Sequence, residues 1–178
     1  LIEIVSEPDM RSAEEAKIYL ETLRTILLYL GISDAKMQEG SIRADVNVSV
    51  RPVGTKQYGV RVETKNVSSF SGVYNAIVYE ANRQIEVLEN GGELFQETRR
   101  WDDAAGKNVL MRSKEDAQDY RYFPEPDLLG YVIPQETVDS LKAEIPELPV
   151  QKTLRYMNEC GLSRADAETI ALSKDKAF

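Results

Sequence analysis

The sequence predicts an α+β fold: an antiparallel sheet with flanking helices, followed by the start of an all-helical domain. Three observations predict it. Apolar and polar residues alternate over 41–51 and again over 60–65, on either side of a turn that carries Pro52 and Gly54. Apolar residues recur at helical spacing over 13–30 and 70–88. Beyond Pro-Glu-Leu-Pro at 146–149 only helical patterns remain, so a boundary is expected between a sheet-bearing domain, 1–145, and a helical one, 146–178.

Taken in order, residues 1–6, Leu-Ile-Glu-Ile-Val-Ser, suit a short strand that Pro8 ends, because proline supplies no ladder donor. Ser12 and Glu15 have the spacing of a capping box. Ala16, Tyr19, Leu20, Leu23, Ile26, Leu27 and Leu30 then fall on one side of a helix closed by Gly31. In 41–51, Ile42, Ala44, Val46, Val48 and Val50 alternate with Arg43, Asp45, Asn47, Ser49 and Arg51, the clearest strand pattern in the chain. Val60 and Val62 alternate with Arg61, Glu63 and Lys65, which completes a hairpin with one apolar and one charged face.

Ser68 or Ser69 caps a second helix whose buried stripe would be Phe70, Val73, Tyr74, Ile77, Ala81, Ile85 and Leu88, stopped by Gly91-Gly92. Segments 93–101 and 108–112 flank a turn and read as a second hairpin. The stretch 120–133, interrupted by Pro124 and Pro126, should run over the surface or along a sheet edge. Helices are expected from Pro134 to Glu144, from 149 to 160 before Gly161, and again after Ser163.

Composition narrows the function classes. Hydrophobic residues at 42% and charged residues at 29% describe a globular chain with a packed core. No apolar run approaches the ~20 residues of a membrane span and the first residues lack a signal peptide's pattern, so the expected setting is the bacterial cytoplasm or an organelle matrix, with no membrane. Cys160 is the only cysteine, which excludes an intramolecular disulfide, and the absence of histidine excludes Ser-His-Asp and Cys-His catalysis within this chain. No glycine-rich phosphate loop is present. A net charge of -8 opposes nucleic acid unless the contact is local. The chain opens at Leu1 in a strand pattern and stops at Phe178 in a helical one, and so reads as an excised piece.

The charged face of the first hairpin carries the chemistry. Arg43, Asp45, Asn47, Arg61, Glu63 and Lys65 gather acids, bases and an amide on adjacent strands, whose facing side chains lie ~5 Å apart. With the turn centred near Gly54, Asp45 and Glu63 come opposite each other. Two carboxylates that close are tolerated only with a cation, or a Lys or Arg side chain, between them. Such a pair suits Mg²⁺, an oxygen-seeking ion that commonly holds nucleotide phosphates as well, and Glu3 joins them if the first strand lies beside the hairpin. Arg43, Lys65 and Arg61 would then stabilise charge on a transferring phosphoryl group. The same residues also describe a salt-bridge network on a wet sheet face. Trp101, Tyr120, Tyr122 and Phe123 suit packing as well as base stacking.

Several segments match a known pattern: Leu-Ile-Glu-Ile-Val-Ser-Glu-Pro-Asp-Met-Arg-Ser at 1–12, Met-Gln-Glu-Gly-Ser-Ile-Arg-Ala-Asp-Val-Asn-Val-Ser at 37–49, Glu-Thr-Lys-Asn at 63–66, Gln-Glu-Thr-Arg at 96–99, Met-Arg-Ser-Lys-Glu at 111–115 and Asp-Tyr-Arg-Tyr-Phe-Pro-Glu-Pro-Asp-Leu at 119–128. They closely resemble the B subunit of the bacterial and organellar Glu/Asp-tRNA amidotransferases. That resemblance implies a cradle-shaped domain related to the glutamine synthetase and guanido kinase fold, of which this chain is the second half, plus the start of a helical domain.

The resemblance also implies an activity: ATP phosphorylates the side-chain carboxylate of Glu-tRNA(Gln) or Asp-tRNA(Asn), and ammonia from a glutaminase A subunit displaces the phosphate. A small C subunit wraps the other two. By the same resemblance Glu3, Asp45 and Glu63 are metal and phosphoryl-transfer acids, and Arg43 and Lys65 face ATP phosphates or the activated carboxylate; Asn47, on the same hairpin face, is a further candidate for the nucleotide site. Most tRNA contacts belong to regions this chain lacks, so the piece alone is expected to be inactive. The sequence departs from the family at Ala44, where Cys is frequent, and Gln38, where Glu is frequent; neither change removes a proposed ligand. Rival readings are a noncatalytic scaffold or RNA-binding module that docks the glutaminase subunit and tRNA, and a different Mg²⁺/ATP ligase on the same fold.

Overall fold

The computed structural model describes residues 1–113, 123–175 and 177, so the expectations for Tyr120 and Tyr122 lie outside the described residues. The chain forms two compact units, Leu1–Thr22 with Ala35–Ala117, and Leu23–Asp34 with Gln118–Phe178. The division therefore falls upstream of the boundary read at 145/146, and the second unit takes the C-terminal part of the first helix.

In the first unit, helix α1 (Ala13–Leu30) starts as its sequence dictates. The Glu15 N–H donates to Ser12 Oγ at 3.1 Å, and the Glu15 carboxylate reaches back to the Arg11 N–H, which satisfies donors that a helix end leaves free. Strands β1 (Ala44–Val48), β2 (Val62–Val67), β3 (Glu97–Asp102) and β4 (Lys107–Ser113) form one sheet in the order β1-β2-β3-β4. The α+β class holds, but the sheet is mixed rather than antiparallel: β1/β2 and β3/β4 are antiparallel and β2/β3 is parallel. The reason is α2 (Phe70–Glu89), which carries the chain back so that β3 starts from the same end as β2.

Residues 1–6 do not form the expected strand. Their alternation finds no ladder, since β1 and β4 are the sheet's edges, and Ile2, Ile4 and Val5 stay exposed.

Ser69 caps α2 by accepting from the Gly72 N–H at 2.9 Å. The buried stripe of α2 differs from the sequence reading: Gly72, Val73, Ala76, Glu80 and Gln84 face inward, while Tyr74, Ile85 and Leu88 are exposed. Val73 and Ala76 pack with Met37, Val46, Val67 and Trp101 in the core, and Tyr79 meets Trp101 edge-on at 6.4 Å. Trp101 is thus a packing residue, at 6% exposure.

Glu80 and Gln84 are fully buried because each serves main-chain or charged partners. The Gln84 amide spans the end of β1, donating to Val48 O and accepting from the Val50 N–H, both at 3.1 Å, as a neighbouring strand would. Glu80 accepts from Gln84 Nε2 at 2.9 Å and pairs with Arg83 through three contacts, the shortest 2.6 Å. This holds the Arg83 guanidinium above its ordinary pKa, chiefly through those hydrogen bonds.

The connection from β1 to β2 closes tightly. A side chain on Gly59 would put its Cβ 2.1 Å from Val50 O, a backbone atom that has no room to yield. Gly59→Ala is expected to lower the thermal midpoint of this unit by roughly 5 °C or more, read by Trp101 fluorescence; an unchanged midpoint would mean the two backbone segments separate freely.

In the second unit, α3 (Gln135–Glu144), α4 (Pro149–Cys160) and α5 (Arg164–Ala171) fall where the sequence placed helices. Gly161, at φ 66°, ends α4, and Ser163 caps α5. Tyr29 donates its hydroxyl to Ala171 O at 2.6 Å, and Lys152 lies over its ring at 5.5 Å, which explains why the end of α1 groups with α4 and α5. Arg155 donates to both carboxylate oxygens of Glu147, at 2.8–3.1 Å, and holds that carboxyl below its usual range. Among the described residues no helix is long and apolar enough to cross a membrane.

Candidate functional site

Alternation along β1 and β2 sorts the first hairpin's side chains as predicted. Val46, Val62 and Thr64 turn into the core, while Asp45, Asn47, Glu63 and Lys65 occupy the opposite face. The pairing within that face differs from expectation: Asn47, not Asp45, lies opposite Glu63, because the ladder opens with Val48 against Val62. The difference amounts to two residues, and since strand faces repeat every two residues both acids keep the expected side.

Lys65 then falls between the two carboxylates. Its Nζ is 2.6 Å from Asp45 Oδ2 and 3.3 Å from Glu63 Oε1. The ammonium supplies the positive charge that neighbouring acids require. The hydrogen bond to Asp45 is the main cause that raises the Lys65 pKa above its ordinary value of 10.5, against a smaller opposing effect of burial. This contribution to stability is complete below 10.5 and is lost only as pH climbs past the raised value, so the Lys65 ammonium keeps its charge at neutral pH.

A bulge shapes the end of β2. Between the pairs Val46↔Thr64 and Ala44↔Val67, Lys65 and Asn66 together face Asp45 alone. Asn66 takes the left-handed region, at φ 60°, which Asn tolerates better than most residues. The extra residue leaves Asn66 exposed beside Lys65 and returns Val67 to the core at 6% exposure.

The other predicted residues are not drawn into the cluster. Glu3 is exposed in the segment that pairs with no strand, so the structure does not hold it against the hairpin. Arg43 and Arg61 are exposed, just ahead of β1 and β2 respectively. Among the described residues no three of His, Cys, Asp and Glu gather as a metal site, and Glu3 is not brought to Asp45 and Glu63. Asp45 and Glu63 alone fit an ion such as Mg²⁺, which is commonly held by one or two carboxylates and takes its remaining oxygens from phosphates and water. Asp45, 49% exposed, is the more accessible of the two, and an ion bound by both would take the place that the Lys65 ammonium holds between them.

Two residues of the site were missed from sequence. The Thr98 hydroxyl donates to Glu63 Oε2 at 3.1 Å, and Arg100 stands next to Lys65 in the β2/β3 register. Alternation in 97–102 separates Thr98 and Arg100 from Arg99 and Trp101, but only the parallel β2/β3 pairing says which side is the charged one. A concavity of about 510 Å³ is lined by Val50, Arg51, Tyr58, Gly59, Val60 and Leu88 among others, and its lining includes none of these acids.

A mixed sheet covered by a helix on one face and bearing an acid–base cluster on the other defines an α+β domain with a polar site on its exposed sheet face. The family described as the GatB/GatE catalytic domain matches residues 1–139. Proteins named as the B subunits of aspartyl/glutamyl-tRNA(Asn/Gln) amidotransferases are similar over nearly the whole chain. That of Caldicellulosiruptor saccharolyticus is 57% identical over 97% of this chain, that of Symbiobacterium thermophilum 57% over 99%, and that of Listeria monocytogenes serotype 4b 54% over 98%. The chain belongs to the GatB/GatE catalytic-domain family. It spans 36–37% of the length of these relatives.

Proposed function

We propose that this chain is part of the B subunit of a tRNA-dependent amidotransferase and that its charged sheet face carries the ATP-dependent step. The observation that carries the reading is Lys65 held between Asp45 and Glu63 on an exposed strand face, an arrangement that presents two acids and a charged ammonium together to an incoming ligand. The names of the relatives supply the substrate class, Asp-tRNA(Asn) and Glu-tRNA(Gln).

In this reading a side-chain carboxylate oxygen of the misacylated tRNA attacks the γ-phosphorus of ATP. The bond to the β,γ-bridging oxygen breaks, and an acyl phosphate and ADP result. Ammonia, supplied by a glutaminase A subunit, adds to the acyl carbon; the carbon–oxygen bond to phosphate breaks and the nitrogen sheds a proton, which leaves the amide. A bound Mg²⁺ would neutralise phosphate charge during the transfer. Asp45 and Glu63 would hold that ion, and Lys65, Arg43 and Asn47 would bind the phosphates and the activated carboxylate. A small C subunit completes the assembly, in the cytoplasm of a bacterium or an organelle matrix.

Crystals of the assembled amidotransferase soaked with Mg²⁺ and a nonhydrolysable ATP analogue test this directly. Ion density about 2.1 Å from a carboxylate oxygen of Asp45 or Glu63, with phosphate beside Lys65 or Arg43, is the expected result. A nucleotide bound elsewhere on the same polypeptide, with this face empty, sinks the reading. One feature favours a docking role as well: Leu128, Leu129, Tyr131 and Val132 are 75–93% exposed, an apolar run suited to a partner surface.

A further inference from the structure

We infer that Arg100 is a phosphate-binding residue of this site, a guanidinium fork that receives the oxyanions of the transferring phosphoryl group. The inference rests on the phosphoryl-transfer reading above and adds to it a residue from a third strand. Register carries the placement. β2 and β3 run parallel with Glu63 beside Thr98 and Lys65 beside Arg100, and residues paired across adjacent strands project from the same face. The hydrogen bond from Thr98 Oγ1 to Glu63 Oε2, 3.1 Å, shows that shared face directly. Two residues further along both strands, Arg100 therefore stands on the charged side next to Lys65.

Its bonding sets Arg100 apart from the neighbouring arginines. Arg83 is locked on Glu80, and Arg99 donates to Glu97 at 2.8 Å and to Asn108 O at 3.2 Å. Both have their donors committed to the fold. The Arg100 side chain is 44% exposed, and its one ion pair among the described residues, to Asp102, is 3.6 Å long, too far for a hydrogen bond. No described residue accepts a hydrogen bond from its guanidinium. Lys65, by contrast, is already engaged by both acids. Arg100 thus has donors to spare beside Lys65, and a planar fork of N–H donors matches two phosphoryl oxygens where an ammonium offers only a point charge.

The alternative is a solvated surface arginine loosely steered by Asp102. Arg100→Ala and Arg100→Lys in the assembled amidotransferase separate the two, assayed for tRNA-dependent ATP cleavage with ATP and misacylated tRNA varied in turn. Arg100→Ala is expected to lower kcat/KM for ATP about tenfold to a hundredfold and to leave KM for the misacylated tRNA and glutamine hydrolysis unchanged. Arg100→Lys is expected to recover only part of the loss. Unaltered ATP kinetics in Arg100→Ala, or a loss confined to the KM for tRNA, would overturn the assignment. Glu63→Ala assayed alongside keeps the two ideas apart. If it abolishes amidation while Arg100→Ala does nothing, only the role of Arg100 fails; if Glu63→Ala is also fully active, the phosphoryl-transfer reading itself falls.

Discussion

Replacing Glu63 by alanine in the assembled amidotransferase is expected to lower tRNA-dependent amide formation by about 10²- to 10³-fold, while glutamine hydrolysis and assembly of the complex persist. The magnitude is that of removing one preorganised electrostatic group from a site where charge develops during reaction. Glu63 is the more enclosed of the paired acids, 17% exposed against 49% for Asp45, and it is held from two sides, by Lys65 at 3.3 Å and by the Thr98 hydroxyl at 3.1 Å. Alanine removes the carboxylate from the proposed ion site and strands the Thr98 hydroxyl, which is 1% exposed. Glu63→Gln is the sharper probe, because its amide oxygen still accepts from Thr98 while the charge is gone; a fall nearly as large as alanine's would assign the effect to charge rather than to packing. Steady-state amide formation and glutamine hydrolysis, measured on the same preparation, decide the matter. Under the scaffold reading amidation survives the substitution, or assembly fails; amidation within a few-fold of wild type in an intact assembly would end the catalytic reading.

The second large effect concerns stability. Glu80→Ala is expected to cost about 3–5 kcal/mol, because it leaves a mostly buried guanidinium uncompensated. Among the described residues Arg83 keeps only Glu97, at 3.9 Å, as a charged partner, and Gln84 loses the acceptor that orients its amide toward Val48 and Val50. Asn108, from β4, loses its contact to Glu80 at 3.4 Å but keeps Ala76 O at 3.1 Å. Trp101 is the only tryptophan and lies in the core of this unit, so thermal unfolding followed by its fluorescence reports the sheet itself. A midpoint lowered by roughly 10 °C is the expected reading for a chain of this size. The double replacement Glu80→Leu with Arg83→Met should recover much of the loss, since removing both charges leaves neither unpaired. A change of under about 1 kcal/mol in Glu80→Ala would show that water already shares these charges.

Much of the first unit was legible because strands and helices announce themselves by period. The alternation of Ile42 to Arg51 set which side chains of β1 are dry, and Ser12, Ser69, Gly161 and Ser163 marked helix ends through donors and backbone angles that are local properties. Two local readings misled. Residues 1–6 alternate like a strand, but a strand exists only with a partner, and none of the described strands pairs there. Tyr74, Ile85 and Leu88 looked like core by hydrophobicity, yet the inward stripe of α2 takes Glu80 and Gln84, whose polar atoms meet the unpaired end of β1 and Arg83. Hydrophobicity alone does not reveal an acceptor waiting inside.

By itself, then, the sequence determined the α+β class, the two faces of β1 and β2, and the family to which the charged motif belongs, because each depends on residue types at short spacing. Only the tertiary structure decided who meets whom: that Lys65 bridges Asp45 and Glu63, that Glu3 stays apart, and that Thr98 and Arg100 join the same face. Those partnerships depend on ladder offset, on the bulge at Asn66 and on the parallel return through α2. Each is set by contacts between segments far apart along the chain, and no local spacing encodes them.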